Sequence, residues 1–383
     1  MPTDMRNRRI DVIRGVAILL VLFHHFNIAY RLSDTSLAAV LGPELVQAVA
    51  RNGNYGVTLF FVVSGYLITS NALRRWGQLG RIDAWAFYGL RIARIVPCLL
   101  LLLAIVNVFA LCGVAIFQNH AAAGEPVPLW HVNLASLTFT MNMLIARVGW
   151  VNYPLGVLWS LSVEEVFYLT FPLLCLVLRR ESLLCLFWAT IIAVGPLYRL
   201  THQGDEAGFL YAYFASFDGI AIGCGAAVLS RRFALAGMTT WFVQTAVVAL
   251  MTFLYLWWPI AQSNVLGVTA MALGTAILLW PVQRSVARDG LRFNPFSRVG
   301  AMVAWCGMNS YELYLFHLIP LAILKTGFPR ATVLGDEKLV LLAAFMVFSF
   351  MLAAGIARYY AEPLNRALRQ RLLQPRRTQS TIV

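Results

Sequence analysis

Ten apolar runs of about 20 residues, separated by short arginine-bearing connections, leave this 383-residue chain few choices of fold. A helix rises about 1.5 Å per residue and satisfies its own backbone, so a run of this length crosses the roughly 30 Å hydrocarbon layer. The runs are Ile10–Tyr30, Asn54–Leu73, Ile92–Phe117, Tyr153–Leu178, Leu183–Leu200, Leu210–Leu229, Thr240–Trp258, Asn264–Val282, Gly300–Leu324 and Leu339–Tyr360. The stretch Leu134–Ile145 is too short to span and is expected in a loop or at the interface. With 60% hydrophobic and 12% charged residues, the chain could not cover a soluble core with polar surface. The expected fold class is an all-α integral membrane protein, a bundle of about ten transmembrane helices.

The arginines fix an orientation. Of the 30 lysines and arginines, 21 fall on one side if the spans alternate and 7 on the other, among them Arg31, Arg199 and Lys338. Positive residues mark the cytoplasmic side, so both termini are expected there. The net charge of +13 does not indicate nucleic acid, because the basic residues sit in short clusters between apolar runs. The N-terminal arginines before an apolar run resemble a signal peptide. Asp11, Arg14, His24 and His25 within that run, and the missing small-residue cleavage site, make it a retained first helix. The six cysteines show no metal-ligand spacing and read as buried small hydrophobes, so no metal is expected. Residues 1–373 are expected to form one transmembrane domain, with a disordered cytoplasmic tail from Gln374.

Ionisable side chains are costly in a bilayer and need a partner or a purpose. The spans contain Asp11, Arg14, His24 and His25, then Glu164 and Glu165, then Asp218, then Glu312 and His317, with Glu362 before Pro363. Arg14 and His25 are 11 residues apart. That is nearly three full turns, so they share a helix face about 16 Å apart, while His24 points roughly 80° away. Counting along the helices puts His25, His317, Ser64, Glu164 and Asp218 between mid-bilayer and its outer half, with Arg14, Arg91 and Arg94 near the inner face. One shared polar cavity is the economical arrangement. Forked guanidinium groups bind phosphates, so the arginines suit the nucleotide end of a coenzyme A thioester whose pantetheine arm reaches up to His25. Imidazole titrates at about 6.5 in water, so its basic form prevails at neutral pH and can take the proton of an attacking hydroxyl. Glu164 can orient that ring or stabilise its cation. Each of these residues also has a structural alternative: His24 as a helix-packing residue, Arg91 and Arg94 as positive-inside anchors, Glu164 as a hydrogen-bond partner, Ser64-Gly65 as close helix packing, Glu362 as an ion-pair member.

The motifs, in order, resemble the acyltransferase-3 family of membrane acyltransferases. Asp11-Val-Ile-Arg14-Gly15 leading to His25-Phe26 resembles its Arg, ten residues, His signature. Phe60-Phe61-Val62-Val63-Ser64-Gly65-Tyr66-Leu67 resembles its second-helix motif, and Arg91-Ile-Ala-Arg94 with Pro97 its Arg-x-x-Arg motif. Trp159-Ser160-Leu161-Ser162-Val163-Glu164-Glu165, continuing to Phe167-Tyr168, is similar to another. Asp218-Gly219, Tyr314-Leu315-Phe316-His317 and Glu362-Pro363 are weaker matches. The resemblance implies an acyl-CoA donor, usually acetyl-CoA, with His25 catalytic. It implies Arg14, Arg91 and Arg94 in the donor site and a functional role for Glu164. It further implies the cell inner membrane and O-acetylation of a cell-surface polysaccharide or a lipid-linked saccharide. His24 stands where the family has an apolar residue. The chain ends soon after the tenth span, so the outer hydrolase-like domain of some relatives is not expected. Two other readings stand beside the glycan O-acyltransferase: an acyltransferase for a small molecule or lipid, and a proton-coupled transporter using the same buried charges. No inverted repeat supports the transporter.

Overall fold

The computed structural model describes residues 7–233, 235–280, 282–283 and 296–373. Those residues form seventeen α-helices: α1 Arg8–Tyr30, α2 Ser36–Leu41, α3 Pro43–Arg51, α4 Asn54–Trp76, α5 Ala84–Leu111, α6 Leu129–Leu137, α7 Met141–Val148, α8 Leu158–Leu178, α9 Glu181–Thr201, α10 Tyr213–Arg232, α11 Gly237–Trp257, α12 Ile260–Leu279, α13 Phe296–Met308, α14 Ser310–Phe316, α15 Leu318–Gly327, α16 Glu337–Ile356 and α17 Glu362–Leu373. Leu235–Ala236 pairs in parallel with Val282–Gln283, a two-residue ladder at the ends of two helices. The expected tail from Gln374 lies outside the described residues, as do Arg6, Arg284, Arg288 and Arg292.

Among the described residues, nine helices are long and apolar enough to cross a membrane. The segment expected to be one span over Gly300–Leu324 is instead three pieces, α13, α14 and α15. Asn309 marks the first break. Its side-chain amide and its backbone N–H both donate to the Trp305 carbonyl, at 3.0 and 3.1 Å, so side chain and helix compete for one acceptor. The second break is at His317. Pro320 has no N–H to give the Phe316 carbonyl, and the His317 ring turns back onto the carbonyls of Leu313 and Tyr314. Leu134–Ile145 falls within the short helices α6 and α7, beside the bundle at the end opposite the arginine clusters.

α4 and α10 are the centre: 67% of the best window of each span is buried, against 11% for α11. The difference follows from packing. α10 crosses α4 so closely that a Cβ on Gly65 would overlap the Ile220 carbonyl, and α13 crosses α1 so closely that one on Gly15 would overlap the Val303 carbonyl. Close backbone approach of this kind is how membrane helices gain dispersion energy when lipid offers no hydrophobic gradient. The two glycines flank Ser64 and Arg14, so the main-chain crossings set where those side chains stand. Asn52 secures the far end: its amide donates to the carbonyls of Tyr255 (2.5 Å) and Trp258 (2.8 Å) and its Oδ1 accepts from Ile260 N (2.9 Å), holding the α11–α12 turn.

Candidate active site

A cavity of about 910 Å³ opens between α4, α5, α8, α14 and α17. Its wall carries six arginines, Arg14, Arg74, Arg75, Arg91, Arg94 and Arg369. Ser64, Glu164, Glu165, Glu312, Tyr314 and Glu362 also line it. The third span begins at Ala84, capped by Asp83 Oδ1 on Ala86 N at 3.0 Å, and not at Ile92. Arg91 and Arg94 are therefore two to three turns inside α5, where they need counter-charges.

Arg91 finds them on α8. Its Nη2 lies 3.2 Å from Glu165 Oε1 and 3.7 Å from Glu164 Oε1, and its guanidinium sits 3.6 Å above the Tyr168 ring. The hydroxyls of Ser64 and Tyr168 each donate to Glu164 Oε1 at 2.5 Å. Glu164 is thus held by two hydroxyls and faces the cavity, while Glu165, 5% exposed, is the closer ion-pair partner. Sequence reasoning placed Glu165 in the membrane but gave it no role. The neighbouring Phe167-Tyr168 on α8 carries no cue to which of two adjacent carboxylates faces α5. Arg14 and Arg94 have no hydrogen-bonded carboxylate among the described residues. Arg94 lies 5.4 Å from the Tyr311 ring centre.

The histidines separate cleanly. His24 Nδ1–H donates to the Ala50 carbonyl of α3 at 2.6 Å, which ties α1 to α3. His25 faces α14–α15, with its ring centre 5.0 Å from that of His317. His317 Nδ1 is 2.8 Å from the Tyr314 carbonyl, so it carries the proton and Nε2 keeps its lone pair. His25 Nδ1 lies 2.9 Å from the Val21 carbonyl and 3.3 Å from His317 Nε2, two acceptors, so it too carries its proton. His25 Nε2 is left as the basic nitrogen, with no hydrogen-bond partner among the described residues. Neither ring is on the cavity wall. Tyr314 links them to it: its ring centre is 6.1 Å from that of His317, and its hydroxyl meets Ser160 Oγ at 2.6 Å.

The other expected site residues divide between the cavity and the closed interior. Asp218 does not join the shared cavity. It is fully buried against Arg199, which the charge count assigns to the outer side and which is itself 0% exposed. Arg199 Nη2 donates to Asp218 Oδ2 at 2.8 Å and to Thr269 Oγ1 at 2.6 Å, and Nη1 reaches Asp218 Oδ1 and the Ala215 carbonyl. Glu362 lines the cavity but pairs with Arg366 at 2.9 Å. Asp11 is buried in the first turn of α1, away from the wall, with its carbonyl against Gly307. The described residues contain no His, Cys, Asp and Glu grouping able to hold a metal.

Comparison with known proteins puts this helical bundle, with its arginine-rich cavity beside two histidines, in the class of membrane acyltransferases. The chain belongs to the acyltransferase-3 family: the family model described as an acyltransferase domain matches residues 7–359. It is similar to the O-acetyltransferase OatA of Staphylococcus aureus strain NCTC 8325, 27% identical over 238 residues that make up 59% of this chain and 35% of that protein. It is also similar to the putative O-acetyltransferase SACOL0978 of S. aureus strain COL, 27% identical over 212 residues, 52% of this chain and 30% of that protein. The matched region thus spans about a third of the length of these relatives. No solved structure matches.

Proposed function

We propose that this protein is an inner-membrane O-acyltransferase that moves an acetyl group from cytoplasmic acetyl-CoA to a hydroxyl of a cell-surface glycan or glycolipid precursor, with both its termini in the cytoplasm. The observation that carries the reading is the polarity of the site: a long cavity lined by guanidiniums, of which Arg14 and Arg94 make no salt bridge among the described residues, and beside it a His25 Nε2 that keeps its lone pair. Arg14 and Arg94 hold the donor's diphosphate, and Arg91, fixed by Glu165, Glu164 and Tyr168, adds to that field. The pantetheine arm runs along α4 toward Tyr314. His25 Nε2 takes the acceptor hydroxyl proton as the oxygen attacks the thioester carbonyl. The tetrahedral intermediate expels the CoA thiolate, which receives the proton from His25. His317 is a positioning residue. Together with the Val21 carbonyl it accepts from His25 Nδ1, which favours the tautomer that leaves Nε2 basic, and it stabilises the imidazolium that forms, the part a carboxylate plays in a catalytic triad. The relatives named as O-acetyltransferases support the acetyl group and the oxygen acceptor.

Purified protein in lipid nanodiscs, given radiolabelled acetyl-CoA and lipid-linked saccharide, is expected to yield labelled saccharide, and His25→Ala to abolish the yield while the protein remains folded. Undiminished transfer by His25→Ala refutes the catalytic role. Solute uptake by proteoliposomes without acyl donor identifies a transporter instead.

A further inference from the structure

The cavity follows one face of α4 along most of its length. Phe60, Ser64, Leu67, Asn71 and Arg75 all line it, at the three- and four-residue intervals of a single helical face. From Phe60 to Arg75 is about 22 Å of helix rise. Positive charge is distributed unevenly along this wall. Within the bundle Arg91 is matched by Glu165 and Glu164, and Arg14 and Arg94 line the same wall, Arg94 about one turn further along α5. At the mouth, Arg75 from the last turn of α4 and Arg369 from α17 form a second level, with no carboxylate partner for either among the described residues. Arg369 lies within electrostatic range of both Arg94 and Arg75. The one glutamate on α17 turns to Arg366. Like charges gathered on a shared wall repel, and a multiply charged anion offsets that repulsion. Beside them Trp76 also lines the cavity, with the Arg75 guanidinium over its ring 5.5 Å from the centre, and an indole is a flat surface suited to a nucleobase.

Building on the proposed acyl-CoA donor, we propose that Arg75 and Arg369 form a separate phosphate subsite that takes the 3′-phosphate of the donor nucleotide, with Trp76 stacking on its base. The diphosphate and the 3′-phosphate of such a donor are separated by the ribose, and the wall supplies guanidiniums at two separate levels. The subsite makes this cavity a reader of the phosphorylated nucleotide and not only of the thioester. A second source of the same phosphate chemistry is an anionic lipid headgroup at the membrane surface.

The test compares kcat/KM for acetyl-CoA and 3′-dephospho-acetyl-CoA in the unaltered protein, Arg75→Gln, Arg369→Gln and the double variant, in nanodiscs of neutral lipid. Charge-assisted hydrogen bonds to the 3′-phosphate, which the dephospho donor cannot make, predict a roughly 10- to 100-fold preference for the 3′-phosphorylated donor in the unaltered protein. The double variant is expected to bring that preference to within about twofold, through a higher KM for acetyl-CoA alone. Its retained turnover of the dephospho donor shows that it is folded; if it does not accumulate, the single variants read the same ratio. Equal use of both donors by the unaltered protein overturns the subsite, and so does a double variant that loses equally on both. A preference that needs anionic lipid assigns the arginines to headgroups and also overturns it. Failure of the unaltered protein to use either donor refutes the proposed function itself, a result distinct from all of these.

Discussion

Two ionic clusters lie within the same bundle, and they treat their charges in opposite ways. Around Asp218, a carboxylate and a guanidinium are both fully buried, bonded to each other, to Thr269 and to backbone carbonyls. Around Arg91, the side chains of Arg91 and Glu164 keep 28% and 22% of their surface, and they face a cavity where Arg14 and Arg94 make no salt bridge among the described residues. The first cluster is closed and its charges are spent on holding α9, α10 and α12 together. The second has charge left over. An intramembrane charge indicates function only when its partners do not exhaust it, and that depends on neighbouring helices and not on the charge itself.

The contrast can be broken by substitution. The largest expected effect is in the open half: His25→Ala lowers transfer by roughly 10²- to 10⁴-fold, with a thermal midpoint in detergent near that of the unaltered protein. In the closed half, Asp218→Ala strands Arg199 in a dry interior and costs about 3–5 kcal/mol of stability. Fluorescence-detected thermal unfolding would read it as a large fall in Tm. A normal Tm for Asp218→Ala, or a collapsed one for His25→Ala, would merge the two clusters into one kind. A smaller effect is expected at His317. His317→Leu removes the second acceptor of His25 Nδ1, leaving the Val21 carbonyl, and should lower kcat about tenfold with KM unchanged, whereas His317→Gln keeps a side-chain acceptor there and should recover much of the loss. Equal kcat for the two variants would make His317 a packing residue.

The smallest effect lies outside the membrane. Asp34 Oδ1 accepts from Lys338 Nζ at 2.5 Å, and this bond, with the Gly335 N–H, holds the Asp34 carboxyl below its usual range. A lowered folded value means that the stabilisation is fully present above the ordinary carboxylate titration near about pH 4 and is lost as pH falls through the lower folded value. Lys338→Met should therefore lower Tm slightly at pH 7 and not at all at the acid end, because the pair is partly exposed and solvent-screened.

The sequence made the helical segments legible because lipid permits few backbones, and an apolar run of about 20 residues has almost no other use. The gathering of Arg14, Ser64, Arg91, Arg94 and Glu164 about one cavity was legible too, whereas His25 lies off its wall. What stayed hidden was pairing. Arg199 and Asp218 are 19 residues apart on different helices, and no local pattern joins them. The start of α5 was misplaced because Arg91 and Arg94 read as a boundary, although Asp83 offered a helix-start signal eight residues before Arg91. The division of the ninth run at Asn309 and His317 follows from Pro320 and an asparagine side chain, both visible in the sequence but outweighed by the unbroken hydropathy around them.

α1 is a single uninterrupted helix from Arg8 to Tyr30, and it carries both Arg14 and His25. On the proposed function it is a fixed caliper between Arg14, which holds the donor, and the base His25. One residue inserted between them would swing His25 by about 100° and carry it about 1.5 Å along the axis. Evolution can lengthen the surface loops of this scaffold to suit new acceptors, but in this stretch of ten residues it can exchange letters and not change their number.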